Sequence, residues 1–226
     1  MSLQELLGLS LPPVAIAFRR TAPPGVPHVD AVGPAGCSYW RLAAEGKVFY
    51  TEAADYYNCP IGAYTHGVTL PPERATELEG LVETMVGLEY LRSEEIPNIP
   101  RRTGPFGIAL YGPFPAAPFD PDVVLVRGRA RQVMLLAEAS HLAGIVPETA
   151  AMVRPTCAVL PHTMQTLRTS ISLGCIGNRV YTGLGDDELY VALPGQKVSE
   201  VVSKLGTIVS ANRELEGFHR GRQAAG

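Results

Sequence analysis

Apolar residues recur along the chain at two periods, one fitting strands and one fitting helices. Residues 2–8 read as a short helical lead. PVAIAF (13–18) is a compact apolar run before a Pro/Gly loop and predicts a buried strand. GCSYWRLAAEG (36–46) has a helical composition and a closing glycine, and KVFYTEA (47–53) has the β-branched and aromatic content of a strand. PPERATELEGLVETMVGLEYL (71–91) opens with prolines, which a helix tolerates in its first turn. Its Leu78, Leu81, Val82, Met85 and Val86 form one apolar face. FGIALYGPF (106–114) and DVVLVRG (122–128) predict two strands around a proline-rich turn. RARQVMLLAEASHLAG (129–144) predicts a helix ending at glycine, and RPTCAVLPHTMQTLRT (154–169) a partly helical segment. SISLG (170–174) and ELYVALP (188–194) predict strands, and 195–212 repeats valine, leucine and isoleucine at helical spacing.

Between these elements the chain reads as irregular. NCPIGAYTHG (58–67) predicts a loop from its proline and glycines. The Pro/Arg-rich segment 93–105 predicts a linker or exposed loop, and 214–226 a mobile tail. The mixture implies an α+β fold, a mixed sheet with helices packed on it, in one compact domain over 1–226 with a half boundary near 93–121. The halves echo one another. Each has an apolar strand, a cysteine opening a helix (Cys37; Cys157), a short strand, and a cysteine in a glycine-rich loop (Cys59; Cys175). Two pseudo-symmetric halves from an internal duplication are therefore an expectation to test.

Composition narrows the function classes. With 46% hydrophobic and 18% charged residues the chain is globular, and its net charge of −3 gives no reason to expect nucleic acid as a partner. The longest apolar stretches, such as 133–146, are too short for a membrane span and are broken by Glu138 and His141. The amino terminus has no basic region before its apolar residues, and a Pro-Pro pair interrupts it, so no secretory signal is expected. The expected setting is cytoplasmic, where structural disulfides are rare, and the four cysteines need another role.

Their spacing is C-x21-C-x97-C-x17-C. This lacks the close ligand pairs of zinc fingers and the run of a ferredoxin. Iron–sulfur ligation does not need close spacing, because separate loops can bring thiolates to one cluster. Glycine or proline adjoins Cys37, Cys59 and Cys175, which lets backbone approach a cofactor and donate to sulfur. Arg41, Arg154 and Arg179 each lie three or four residues from a cysteine, and cations there would offset thiolate charge. Against this stands the common role of free cysteine as a small buried residue.

PVAIAF, GCSYWRLAAEGKVFYTEAADYYNCPIGAYTHG, RPTCAVLPHTMQT and SISLGCIGNRVYTGLGDDELYVALP resemble the prokaryotic family called domain of unknown function 169, from about Leu9 to Leu205. The resemblance implies one compact cytosolic domain with cysteines in these blocks, and no established reaction.

Other chemistry is less well supported. Cys175 as a nucleophile would need His66 or His162 as a base, and no protease signature accompanies them; either histidine could be a zinc ligand. Asp186, Asp187 and Glu188 could hold a divalent cation but fit a hairpin turn better. Gly177, Asn178 and Arg179 match no nucleotide motif, though the last two could bind an anion. Tyr56, Tyr57 and Asn58 could line a pocket. Three readings follow. The first is a 4Fe-4S cluster on Cys37, Cys59, Cys157 and Cys175, tuned by Arg41, Arg154 and Arg179, working on a small anionic molecule or with a redox partner protein. The second is a metal-free module that binds a small molecule, with its cysteines in the core. The third is a structural zinc site.

Overall fold

The structure, a computed structural model, describes residues 1–225 apart from Val32, Pro34 and Val153, with the backbone alone at 147–152 and 225. Seven strands form a single sheet: β1 Val14–Arg19, β2 Phe49–Glu52, β3 Ile108–Pro113, β4 Val123–Arg129, β5 Pro147–Met152, β6 Thr169–Ser172 and β7 Glu188–Pro194. Their order is β2-β3-β1-β4-β7-β6-β5, antiparallel throughout except for the parallel pair β5–β6. The α+β expectation holds.

With β5 set aside, the order is symmetric about its centre. β2-β3-β1 on one side mirrors β6-β7-β4 on the other, each third strand pairing antiparallel between the first two. The halves meet where β1 pairs β4, over Val14 to Ile16 against Leu125 to Val123. They share a topology; common descent by duplication is not confirmed by it.

Both faces of the sheet are covered, which is why its central strands read as unbroken apolar runs. On one face Ile16, Leu125 and Tyr190 pack under α2 (Ser38–Ala44), α3 (Pro60–His66), α6 (Val159–Thr166) and α7 (Ile176–Thr182). On the other, Val124, Val191 and Leu193 pack under α1 (Leu3–Leu7), α5 (Ala130–Leu142) and α8 (Val198–Ala225). The helix α4 (Pro72–Gly87) lies outside both clusters and has no buried residue.

Four expectations are corrected. Residues 58–67 are not a loop: Pro60 opens α3 at its first position, and Gly67 closes it with φ +74°. The residues that resemble loop punctuation are the two ends of a short helix. Cys175 likewise stands at the start of α7 and not in a loop; that helix closes on Gly183, also left-handed. The segment 93–105 is no free linker, because Ser93–Asn98 forms a 3-10 turn and the Arg102 N–H donates to the Thr65 carbonyl. The tail is helical to Ala225, and α8 is tied to α5 by the pairs Arg131–Glu216 and Asn212–Glu138. Strand β5 was not expected. PETAAM lacks β-branched and aromatic residues except for one threonine, and as an edge strand it pairs on one side only.

Asp122 clamps the central junction. Its carboxylate accepts from the Phe18 N–H at 2.7 Å and from Arg19 at 2.9 Å, while its own N–H donates to the Ile16 carbonyl at 2.9 Å. Asp122→Ala leaves the Phe18 N–H without this acceptor. We expect a loss of about 1–2 kcal/mol in denaturant unfolding, the partial exposure of the pair setting the upper bound. An unchanged midpoint would contradict the clamp.

A four-cysteine cavity as the candidate functional site

Each cysteine stands at the start of a helix on the same face of the sheet. Cys37 precedes α2, Cys59 precedes α3 and Cys175 precedes α7. Cys157 lies in the 3-10 turn Thr156–Ala158 that runs into α6. All four are half-buried free thiols, and all four line one cavity of about 590 Å³. Two come from each half of the sheet, so the β1–β4 junction is what gathers them.

The backbone around each sulfur is tightly set. N–H groups of Gly36 and Gly62 donate toward Cys59, and a Cβ on Gly62 would fall 2.9 Å from that sulfur. The Cys175 N–H donates to the Thr156 hydroxyl at 2.6 Å. Gly174, at φ +78°, has room for no Cβ: one would lie 2.5 Å from the Leu184 side chain. Gly62, three residues after Cys59, and Gly174, before Cys175, therefore stand where no side chain fits.

Burial and mutual proximity keep Cys37, Cys59 and Cys157 protonated. Burial, then the neighbouring Cys59, pushes Cys37 up to about 12, against the lowering effect of Asn178. Burial raises Cys157 well above an ordinary thiol, with Cys59, Cys37 and Cys175 adding to it and the Thr65 hydroxyl opposing. Burial also raises Cys59, although Gly36 and Gly62 donate to it. These three crowded thiols resist ionisation unless a cation joins them.

The remaining predicted residues divide. Arg154, Gly177, Asn178 and Asn58 line the cavity. Arg41 does not: it pairs with Glu45 at 2.7 Å one helical turn away and borders a different, smaller cavity. Nor does Arg179, whose guanidinium donates to the carbonyls of Gly185 and Leu173 and braces the turn before β7. In that turn Glu188 pairs with Arg127 and Asp187 with Arg129, so the acidic residues are structural. Tyr56 is fully buried among Tyr39, Tyr111 and Thr51, and Tyr57 packs on the same core. His162 bonds the Ser170 hydroxyl at 2.8 Å. Neither His162 nor His66 borders the cavity.

The cavity has a second wall that sequence reasoning did not assign. The apolar face of α4 faces into it through Leu78, Leu81, Val82 and Met85, joined by Ile96 and Ile99 of the supposed linker. The helical spacing showed that this face exists; nothing in a linear sequence shows what it faces.

The sulfurs share a wall without closing to the spacing of one metal ion. Among the described residues only His28, Asp30 and Asp55 bring three donor atoms within 4.8 Å of one another. That exposed group is accounted for by structure, since Asp55 also accepts from the Glu52 N–H and the His28 ring.

The fold and cavity define an α+β protein whose two sheet halves each give two cysteines to a common site. The chain belongs to the family of uncharacterised ArCR proteins, domain of unknown function 169, whose model matches residues 2–204. It is similar to the uncharacterised protein MJ0308 of Methanocaldococcus jannaschii, with 26% identity over 215 residues, 90% of each chain. No solved structure matches it. No helix among the described residues is long and apolar enough to cross a membrane.

Beneath the cavity floor His66 sets an acid limit on stability. Its Nδ1–H donates to the Gly62 carbonyl at 2.6 Å, its Nε2 is buried without a partner, and burial lowers its pKa to about 4. The unfolded chain binds a proton near pH 6.5 that the folded chain refuses until about pH 4, so stability falls as pH drops through this window. We expect a loss on the order of 3 kcal/mol between pH 7 and 4, with a shallower limb in His66→Gln. Identical pH profiles for the two proteins would contradict this.

Proposed function

We propose that Cys37, Cys59, Cys157 and Cys175 hold one iron–sulfur cluster, most simply 4Fe-4S, and that the protein uses it for redox or sensing work on a small molecule. The observation that carries the reading is that all four thiols, two from each half, line a single cavity. A cluster supplies the positive charge that lets crowded, desolvated thiols ionise, and its binding releases their protons. The N–H groups of Gly36 and Gly62 directed at Cys59 are the kind of donor that stabilises a ligating sulfur.

The sulfurs stand too far apart for a single zinc as they are placed. Four thiolates on one tetrahedral ion stand roughly 3.8 Å apart, given Zn–S bonds of about 2.3 Å. No three sulfurs here lie within 4.8 Å of one another. A cluster tolerates wider spacing because each thiolate binds a different iron. Of the three arginines first considered, Arg154 alone is placed to act on the site, as a counter-charge or an anion partner. A cytoplasmic setting, with reduced thiols and a redox partner protein, suits this chemistry.

The test is replacement of each cysteine by serine in protein purified and reconstituted without oxygen, with iron and acid-labile sulfide assayed on every sample. We expect the parent protein to be brown with about four irons and four sulfides per chain. Each variant should lose most of both. Full iron retention by the four variants, or a colourless parent with one zinc and no sulfide, would overturn the proposal.

A further inference from the structure

The cysteine wall accounts for only one side of the cavity. Its volume, about 590 Å³, lies within the ~300–1,000 Å³ range of small-molecule sites. The opposite wall is hydrocarbon: Leu78, Leu81, Val82 and Met85 from α4, with Ile96 and Ile99 beyond them. A helix of 16 residues ordinarily sets its apolar face on protein. Here α4 has no fully buried residue: Leu78, Val82 and Met85 are only partly covered, Leu81 is exposed, and all four border the cavity.

Two polar side chains at the cavity's edge keep unused hydrogen-bonding atoms. Asn178 is 2% exposed; its amide lies against Cys37 and Tyr190, yet neither its Nδ2 nor its Oδ1 makes a hydrogen bond of normal geometry. Arg154 lies over the Tyr90 ring, 4.6 Å from its centroid, with its Nε buried and unpartnered. No carboxylate among the described residues forms an ion pair with it, although Arg154 contributes to lowering the pKa of Glu95. A guanidinium and an amide within a largely apolar cavity match one carboxylate. They offer too few donors for a phosphate.

We propose that this cavity binds a mainly apolar organic acid, its hydrocarbon against α4 and its carboxylate at Arg154 and Asn178. The inference concerns the same cavity as the cluster but rests on the apolar wall and the unused hydrogen-bonding atoms, not on iron. An organic acid beside the cysteines would be the small anionic molecule on which a cluster acts, or the signal that it senses.

Decanoate serves as the probe, titrated into the full chain by calorimetry, with decanol as the neutral comparison and iron and sulfide assayed on the same samples. We expect saturable one-to-one binding of decanoate, at least about tenfold tighter than decanol. Arg154→Gln should abolish that preference and leave decanol unchanged. Val82→Glu, at a partly covered position of α4, should weaken both ligands about tenfold or more while the far-UV circular dichroism spectrum stays that of the parent. Absence of saturable binding, equal affinity for acid and alcohol, or indifference to Val82→Glu would overturn the inference. Protein that carries iron and sulfide but ignores decanoate would refute the ligand and leave the cluster standing. Protein that binds decanoate without ever taking up iron would do the reverse.

Discussion

The antiparallel pairing of β1 with β4 turns two pairs of cysteines into one site. With the edge strand β5 set aside, each half of the chain builds three strands and places two cysteines at helix starts on one face. Only the junction brings Cys37 and Cys59 to the same cavity as Cys157 and Cys175, which lie about a hundred residues further along the chain. It is a short junction, with a register of three residue pairs, and Asp122 reinforces it by capping the Phe18 N–H and holding Arg19. A register slip there would send each side chain to the opposite face, break its packing and the Asp122 clamp, and shift one cysteine pair against the other.

What was legible in the sequence follows from local physics. Central strands buried on both sides must be continuously apolar, and PVAIAF and DVVLV announce themselves for that reason. The apolar face of α4 was equally plain, since 3.6-residue periodicity is a local property. Helices α3 and α7 were not plain. Seven residues are too few to establish a period, and their proline and glycines carry the same signal in a loop as at a helix end. β5 was lost because an edge strand needs little of the side-chain signature that a central one needs.

The site shows the same division. Gly174, flanking Cys175, has no room for a side chain against Leu184; Gly62, which would crowd the Cys59 sulfur, lies three residues off and carried no flanking signal. The arginines misled because nearness in sequence is not nearness in space. Arg41 stands four residues after Cys37 and Arg179 four after Cys175, one helical turn from the cavity, and local partners claim both. Arg154 precedes its cysteine and borders the cavity. The cavity itself, with α4 on one side and thiols on the other, is a tertiary fact with no local signature. Its lining joins two chemistries: four thiols, and hydrocarbon with the Arg154 guanidinium beside it.

The most direct measurement is a crystal structure of protein reconstituted and crystallised without oxygen, with anomalous diffraction collected on both sides of the iron edge. The account predicts an anomalous peak in the cavity, with the sulfurs of Cys37, Cys59, Cys157 and Cys175 each bonded to a separate iron. Four free sulfurs with no anomalous density between them, or one ion bound by fewer than four of them, would contradict it.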